Sequence, residues 1–227
     1  KGMRNGCNQV GCVLLGVEEA EQPGVFLRNK YDLVGFSVGV IDKKDLEKKI
    51  KLKNGDLLIG IESSGAHSNG YSLIRKILKD KKISLSSILP NSKKTIGKSL
   101  IEPTKIYVDP ILDLYNKNIL KTCAHITGGG VTENLPRVIT KNLYAHINLS
   151  NWKLPPLFKW IMSMGVSEKE MLKTFNCGYG MITIIDKKNI KKFNTTLKKY
   201  KLKSTLIGEL KNKKKNIGRS ILFSGLL

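Results

Sequence analysis

The stretch "DLLIGIESSGAHSNGYSLIRKILK", from Asp56 to Lys79, carries the strongest structural signal in the chain. It begins with an apolar run, "DLLIGIE", that predicts a β-strand. It ends with "YSLIRKILK", which repeats apolar side chains at the spacing of an amphipathic helix. The segment between them is rich in serine, glycine and asparagine, which is typical of a loop. A strand, a loop and a helix in this order indicate that a folded domain begins here.

The loop of this unit, from Ser63 to Gly70, places one histidine among small polar residues. A loop that leads into a helix presents free backbone N–H groups, and these groups attract anions. Glycine lets a ligand approach the backbone closely. We therefore predict an anion site here, with the titratable side chain of His67 beside it. The other candidate binding residues of this loop are Ser64, Gly65, Ser68 and Asn69.

A second loop, "AHITGGGVTENLPRV" from Ala124 to Val138, has the same character. Consecutive glycines are costly to order, and they are useful where backbone must wrap around a phosphate. We predict that a helix follows around residues 133–138. A plain turn is the alternative for this loop alone, but two such loops in one domain favour a function. The candidate residues here are His125, Thr127, Gly128, Gly129 and Gly130.

Neither loop matches a common nucleotide-binding or hydrolase motif. Neither loop contains a GxxxxGK[ST] phosphate loop, a GxGxxG motif or a GxSxG nucleophile elbow. Histidine outside such motifs is more often a structural hydrogen-bonding residue than a catalyst, and that interpretation applies most strongly to His146. The loops therefore predict an anion site whose chemistry the common motifs leave open.

The N-terminal part of the chain predicts one helix and two strands. Residues 1–11 are expected to be helical, and "CVLLGV" (12–17) and "YDLVGFSVGVI" (31–41) are expected to be strands. The charged stretch "DKKDLEKKIKLKNGD" is the best candidate for a linker. We therefore divide the chain into residues 1–53, the end of one domain, and residues 54–227, a second domain.

Helical and strand patterns alternate irregularly in the second domain. The segment "SLSSILPNSKKTIGKSLIEPTK" is expected to be irregular, and a helix entered near Pro103 is expected to place Ile111, Leu112 and Leu114 on its apolar side. A helix is predicted after Ser167 as N-cap. The predicted fold class is α+β (mixed α/β).

Composition and charge exclude several classes of protein. The 227 residues carry a net charge of +22, but only five of the 40 basic residues are arginine, the residue that phosphate-clamping and base-reading surfaces favour. The lysines are spread along the chain, so we predict solvated faces and no specific nucleic-acid site.

No apolar run approaches the roughly 20 residues of a membrane span. The four cysteines form no CxxC pair, and free thiols are expected. The chain begins at Lys1 and not at methionine, and its first residues, "KGMRNGCNQVGC", start in the middle of a structural pattern. We therefore interpret it as N-terminally incomplete.

Four segments carry a resemblance to a known family. They are "GDLLIGIESSGAHSNGYSLIRKIL", "EPTKIYVDPIL", "AHITGGGVTENLPRVI" and "EMLKTFNCGYGMI". In order and spacing they closely resemble phosphoribosylformylglycinamidine cyclo-ligase, also called aminoimidazole ribonucleotide synthetase. The resemblance runs from near residue 1 to about Gly208. It implies a C-terminal PurM-like domain of sheet plus helices, preceded by the end of an N-terminal α/β domain.

The resemblance also implies an activity. Family members are cytoplasmic enzymes of purine biosynthesis and use ATP and Mg²⁺ to close the imidazole ring of aminoimidazole ribonucleotide. ATP activates the formyl oxygen of the ribonucleotide substrate, a substrate nitrogen attacks that carbon, and phosphate leaves. Members are homodimers, with ATP largely on the N-terminal domain and the substrate between the domains. The isolated chain is expected to be inactive, because the main nucleotide-binding groups lie outside it.

Particular residues acquire roles from this resemblance. His67 and His125 are the candidates for proton transfer, which suits a side chain whose pKa is near neutral. Asn69 and Asn176 are candidates for orienting polar groups of the substrate, and Arg137 for binding its phosphate. Glu18 and Glu21 are the acidic groups that could approach the nucleotide with its Mg²⁺, although solvated loop charges are the simpler interpretation. The metal ligands are unknown.

Two alternatives remain open at this point. The segment "GVEEAEQPG" departs from the family pattern at Val17, Glu19 and Gln22, and Ala66 stands where the family often has proline. The altered segment and the missing N-terminal part favour a catalytically silent scaffold derived from the enzyme, whereas the intact histidine–glycine loops favour catalysis. A sister ATP-dependent kinase that acts on another small molecule is the third possibility.

Overall fold

The structure is a computed structural model that describes residues 1–25, 29–46, 51–213 and 218–227. Its contacts divide the chain into two compact units, Lys1–Lys49 and Ile50–Leu227.

In the first unit, the described residues form two helices, α1 (Gly2–Gln9) and α2 (Lys43–Leu46). The expected helix at the start of the chain is therefore confirmed. The two strands expected at residues 12–17 and 31–41 are wrong, because neither segment has regular structure. A strand needs a neighbour to accept and donate its backbone hydrogen bonds, and the described part of this unit supplies none. The alternating side chains are instead exposed, Phe36 almost completely.

The second unit contains six strands and seven α-helices among its described residues. The strands are β1 (Leu57–Glu62), β2 (Leu120–His125), β3 (Leu143–Asn148), β4 (Tyr179–Ile185), β5 (Ser204–Asn212) and β6 (Ile221–Ser224). The helices are α3 (Tyr71–Asp80), α4 (Ile96–Leu100), α5 (Val108–Asn116), α6 (Gly130–Asn134), α7 (Pro156–Ser163), α8 (Glu168–Thr174) and α9 (Ile190–Lys199). Short 3₁₀ turns lie at Leu135–Val138, Leu149–Asn151 and Lys187–Asn189. The predicted mixed α/β class is confirmed.

The strands form one sheet in the order β2-β4-β1-β5-β3-β6. All neighbours are antiparallel except β3 and β6, which are parallel. The central strand β1 is apolar on both faces, because helices cover both sides of the sheet. Leu58 belongs to the core cluster that includes residues of α3 and α8, whereas Ile59 and Ile61 belong to a second cluster with residues of α5 and α9. The continuous apolar run of the opening stretch is thus explained by burial on both faces.

Three elements differ from the sequence-based expectation. Helix α5 begins at Val108, not near Pro103, and Leu112 is exposed on it. The segment expected to be irregular contains α4, whose first turn is capped by the Thr95 side chain. The helix expected at 133–138 begins earlier, as α6, and tightens to a 3₁₀ turn at Pro136, whose ring cannot continue the α-helical hydrogen bonds. Ser167 caps α8 as predicted, by accepting from the amide of Glu170.

Candidate active site

Three strand ends meet at one edge of the sheet. In the antiparallel register, Met181 lies opposite Ile61 on β1 and opposite His125 on β2. Strand β1 therefore ends, and β4 begins, beside the end of β2. The two histidine–glycine loops both leave the sheet at this edge, since one follows β1 and the other follows β2. The sequence placed His125 in a loop, but it is the last residue of β2.

The first loop has a strained backbone. His67 and Ser68 have φ angles of +51° and +60°, a region that residues other than glycine seldom adopt. The helix α3 then starts after Gly70, which also has a positive φ and lies against the ring of Phe175. Such strain persists only where the surrounding structure enforces it, and it is concentrated at functional sites.

The surrounding structure includes a buried carboxamide. Asn176, from the turn between α8 and β4, donates to the carbonyl of Gly65 at 2.8 Å. Its oxygen accepts from the Ser63 hydroxyl at 3.0 Å and from the Gly178 amide at 2.8 Å. Most of its hydrogen-bonding capacity is thus used inside the protein. Asn176 holds the loop in place, and this arrangement favours a supporting role over substrate contact.

The ring of His67 is also turned inward. Only 4% of the residue is exposed, and Nε2 lies 3.0 Å from the amide nitrogen of Ser64 and 3.3 Å from that of Lys105. Burial, reinforced by His125 and Lys105, lowers the pKa of His67 to about 4. The ring is therefore neutral at pH 7, and its accessible surface is small.

The triple-glycine loop is ordered by Asn134, a residue that the sequence reasoning missed. Its buried side-chain amide donates to the carbonyls of Gly128 at 3.0 Å and Gly130 at 2.8 Å. Its oxygen accepts from the Thr127 hydroxyl at 3.3 Å. Gly129 has a φ of +91°, and an added Cβ there would collide with the Glu133 side chain. The signal for Asn134 was its place just after the glycines, in "TGGGVTEN".

The two loops lie close to each other at Asn69 and Gly128. A Cβ built on Gly128 would lie 3.6 Å from Oδ1 of Asn69. Asn69 uses its side-chain NH₂ group to donate to the carbonyl of His67 at 2.6 Å. Gly128 and Ser68 are both exposed. The structure thus brings together the polar and glycine residues that the sequence singled out in each loop.

His125 opens onto a separate part of the same edge. It is exposed at the rim of a cavity of about 460 Å³, and its pKa is lowered by partial burial against the cavity walls. The ring of Tyr107 lies between the histidines, with centroid distances of 6.1 Å to His67 and 6.1 Å to His125. The remaining lining residues are Lys105, Ile106, Val108, Ile111, Leu112 and Met181. A cavity of this size, with apolar walls and a few polar groups, suits a small organic ligand.

The segment before α5 supplies polar groups that the sequence reasoning also missed. Lys105 forms an ion pair with Glu62 at 2.9 Å, and the Tyr107 hydroxyl donates to the carbonyl of Glu62 at 2.7 Å. Burial raises the pKa of Tyr107, so its hydroxyl keeps its proton. The signal was the motif "EPTKIYV", which the sequence marked but to which it assigned no role.

Two groups of predicted residues lie elsewhere. Arg137 lines a different cavity of about 320 Å³ with Leu52 and Thr122, so the structure does not group it with the histidines. Glu18 and Glu21 belong to the first unit, where both are exposed. All four cysteines are free.

No cluster of three or more histidine, cysteine, aspartate or glutamate side chains suits a metal ion within residues 1–25, 29–46, 51–213 and 218–227. In the same described ranges, no helix is both long and apolar enough to cross a membrane.

Comparison with protein families finds one domain match. The model described as "AIR synthase related protein, C-terminal domain" matches residues 53–220. Among curated proteins, a phosphoribosylformylglycinamidine cyclo-ligase of Neisseria gonorrhoeae is 47% identical over 186 residues, which cover 82% of this chain and 54% of the relative. The enzyme of the same name from Bacillus cytotoxicus is 45% identical over 210 residues, covering 92% of this chain and 60% of the relative. The chain thus spans a little over half the length of these relatives.

A solved structure supports the fold alone. Thiamine-monophosphate kinase from Stenotrophomonas maltophilia superposes with a TM-score of 0.52 at 12% identity, over 77% of this chain and 51% of the kinase. At that level of identity the likeness concerns architecture, because one fold carries many activities.

Proposed function

Since this chain belongs to the AIR synthase related protein family and carries its C-terminal domain, we propose that it is part of a phosphoribosylformylglycinamidine cyclo-ligase. The reaction is the ATP-dependent closure of formylglycinamidine ribonucleotide to aminoimidazole ribonucleotide. The observation that carries the proposal is the meeting of two histidine–glycine loops at one sheet edge, in a chain 45–47% identical to enzymes of that name.

The first loop and the triple-glycine loop form the proposed ribonucleotide site. Ser68 and Gly128 of these loops are exposed, and Ser64, Asn69 and Thr127 are half-buried. Backbone amides in glycine-rich turns bind phosphate oxygens well. A charged substrate that develops further charge during ring closure needs such fixed donors.

His125 is the proposed proton-transferring side chain. It is the histidine at the cavity rim, and its lowered pKa leaves a neutral imidazole at pH 7 that can accept a proton from the attacking substrate nitrogen. The reaction joins that nitrogen to the formyl carbon and releases the activated oxygen as phosphate. His67, which the sequence paired with His125 in this role, is too enclosed to reach a substrate directly.

ATP and Mg²⁺ are the proposed cofactors, and a homodimer in the cytoplasm is the proposed setting. The described residues offer no metal-binding cluster, so we derive no step through a metal ion held by this chain. We also propose the domain division at residues 53 and 54, and that Glu18 and Glu21 contribute to nucleotide binding. The positive charge is proposed to be a solvated lysine surface without sequence-specific nucleic-acid binding, since most of it is lysine.

Three measurements test the proposal. Calorimetric titration of this chain with formylglycinamidine ribonucleotide should show binding, whereas a coupled assay for ADP release should show no turnover by the chain alone. The third measurement applies the same assay to this chain preceded by the N-terminal part of the Neisseria gonorrhoeae relative that lies outside the match. That fusion should turn over, and His125→Asn should lower its kcat by roughly 10²-fold or more, as loss of general acid–base assistance does.

The control for the fusion is His146→Asn, which changes a histidine on β3, away from both loops. It should leave kcat within about twofold of the parent. If the chain does not bind the ribonucleotide and the fusion does not turn over, the proposal fails, and the silent scaffold and the sister kinase are the remaining interpretations. Turnover by the chain alone would show that the nucleotide site is wrongly placed.

A further inference from the structure

The ring of His67 has a defined proton position. The amides of Ser64 and Lys105 both point at Nε2, at 3.0 and 3.3 Å. A backbone amide can only donate, so Nε2 must be the unprotonated acceptor and the proton of the neutral ring must be on Nδ1. The Ser64 hydroxyl is also near, at 2.9 Å from Nε2, but it can donate its single proton to the Pro103 carbonyl at 2.6 Å.

The other ring nitrogen is left without a partner. Nδ1 is buried, and no hydrogen-bond partner for it is present among the described residues. It lies against Gly180, where an added Cβ would come within 2.8 Å of it. An unsatisfied buried N–H is costly. The ring therefore lacks a hydrogen bond at Nδ1, while Nε2 accepts from the two amides.

These two amides belong to the two segments that form the site. Ser64 is the second residue of the first loop, and Lys105 begins the segment that ends in Tyr107. That segment is fastened at three points, by the His67 ring, by the ion pair of Lys105 with Glu62, and by the Tyr107 hydroxyl on the Glu62 carbonyl. The ring of Tyr107 in turn contacts His125 edge to face.

We propose that His67 is a positioning residue, whose Nδ1–H tautomer holds the first loop and the Lys105–Tyr107 segment together and so places the cavity wall beside His125. It does not carry a proton in the reaction. The inference deepens the proposed function, and its consequence for substrate affinity rests on that function. The low pKa of the ring agrees with a neutral acceptor.

The tautomer itself can be observed directly. Long-range ¹H–¹⁵N spectra of the chain labelled at its three histidines separate the two neutral tautomers and the protonated ring. We expect one histidine, whose signals vanish in the His67 variants, to carry its proton on Nδ1 at pH 7 and to remain neutral at pH 5.5. A proton on Nε2, or a charged ring at pH 6, would overturn the proposal.

A matched pair of variants tests the positioning. The side-chain oxygen of His67→Gln reaches about as far as Nε2 and can accept from both amides, whereas the shorter chain of His67→Asn cannot. Asparagine tolerates the positive φ better than glutamine, so backbone preference works against the expected result. The Lys105 amide should keep its protection from hydrogen exchange in His67→Gln, and should exchange at least roughly tenfold faster in His67→Asn.

Substrate affinity gives the functional consequence. Formylglycinamidine ribonucleotide should bind His67→Gln within about threefold of the parent and His67→Asn roughly tenfold more weakly. Equal losses in both variants, with both folded, would contradict the proposal. If the parent does not bind the ribonucleotide, the proposed function fails, and the spectra and amide protection still decide the role of His67.

Discussion

The side-chain amide of Asn176 donates to the carbonyl oxygen of Gly65 at 2.8 Å, although the two residues are 111 positions apart in the chain. This bond joins the first loop to the turn that enters β4. It is buried, and the same side chain also accepts from the Ser63 hydroxyl and the Gly178 amide. The shape of the proposed substrate site therefore depends on a residue, Asn176, that lies outside both loops.

Removing this side chain should destabilise the protein. Asn176→Ala leaves the buried amide of Gly178 and the carbonyl of Gly65 without partners, which typically costs about 2 kcal/mol in the free energy of unfolding. Denaturant unfolding measures the change. The control is Asn194→Ala on the exposed face of α9, which should change the free energy by less than about 0.5 kcal/mol. Equal, small changes in the free energy of unfolding in both variants would show that the Asn176 side chain does not stabilise the loop.

A buried ion pair gives a second prediction. Asp56 is fully buried, and the Lys121 ammonium lies 2.7 Å from its carboxylate. Lys121→Met leaves a buried carboxylate without its cation, so the free energy of unfolding should fall by about 3 kcal/mol. Lys211→Met, which removes an exposed ion pair at 3.4 Å from Glu209, should cost less than about 1 kcal/mol. Thermal melts of the two variants check this, and a similar loss in both would contradict the prediction.

Substitutions at two glycines of the triple-glycine loop distinguish an effect on folding from an effect on ligand binding. Gly129→Val should destabilise, because the residue needs a φ of +91° and its Cβ would meet Glu133. Gly128→Val has no positive φ and only an ordinary contact with Asn69, so it should fold like the parent. Its branched side chain stands on the exposed loop, and it should weaken binding of formylglycinamidine ribonucleotide by roughly tenfold or more. Calorimetry beside thermal melts distinguishes the two; unchanged affinity in Gly128→Val would exclude this loop from the site.

Stability should depend on pH through His67. Its pKa is lowered to about 4, against about 6.5 in an unfolded chain, so the unfolded state binds the proton first as the pH falls. The parent should therefore lose stability between pH 6.5 and 4, by about 2 kcal/mol from this residue at pH 5. His67→Gln has no such proton to bind, and its curve should be flatter by that amount. Denaturant unfolding of both proteins at pH 7 and pH 5 is the test, and parallel curves would contradict it.

The sequence alone determined the parts of this protein whose signal is local. The apolar run of β1, the amphipathic spacing of α3 and the Ser167 cap of α8 each depend on neighbouring residues, and all three were predicted correctly. The residue types of the two loops also indicated a site, since glycine allows unusual backbone angles and close approach of a ligand in any sequence context.

Tertiary structure decided what depends on distant partners. The edge strand β2 exists because β4 accepts and donates its hydrogen bonds, whereas the alternating segment at residues 31–41 has no partner strand among the described residues and no regular structure. The roles of the two histidines were likewise set by packing. Of two identical side chains, His67 in the first loop became a buried acceptor and His125 at the end of β2 an exposed ring, because two backbone amides and Gly180 enclose the first. Burial and hydrogen bonding across the fold fix a histidine's proton, and no spacing within the sequence encodes them.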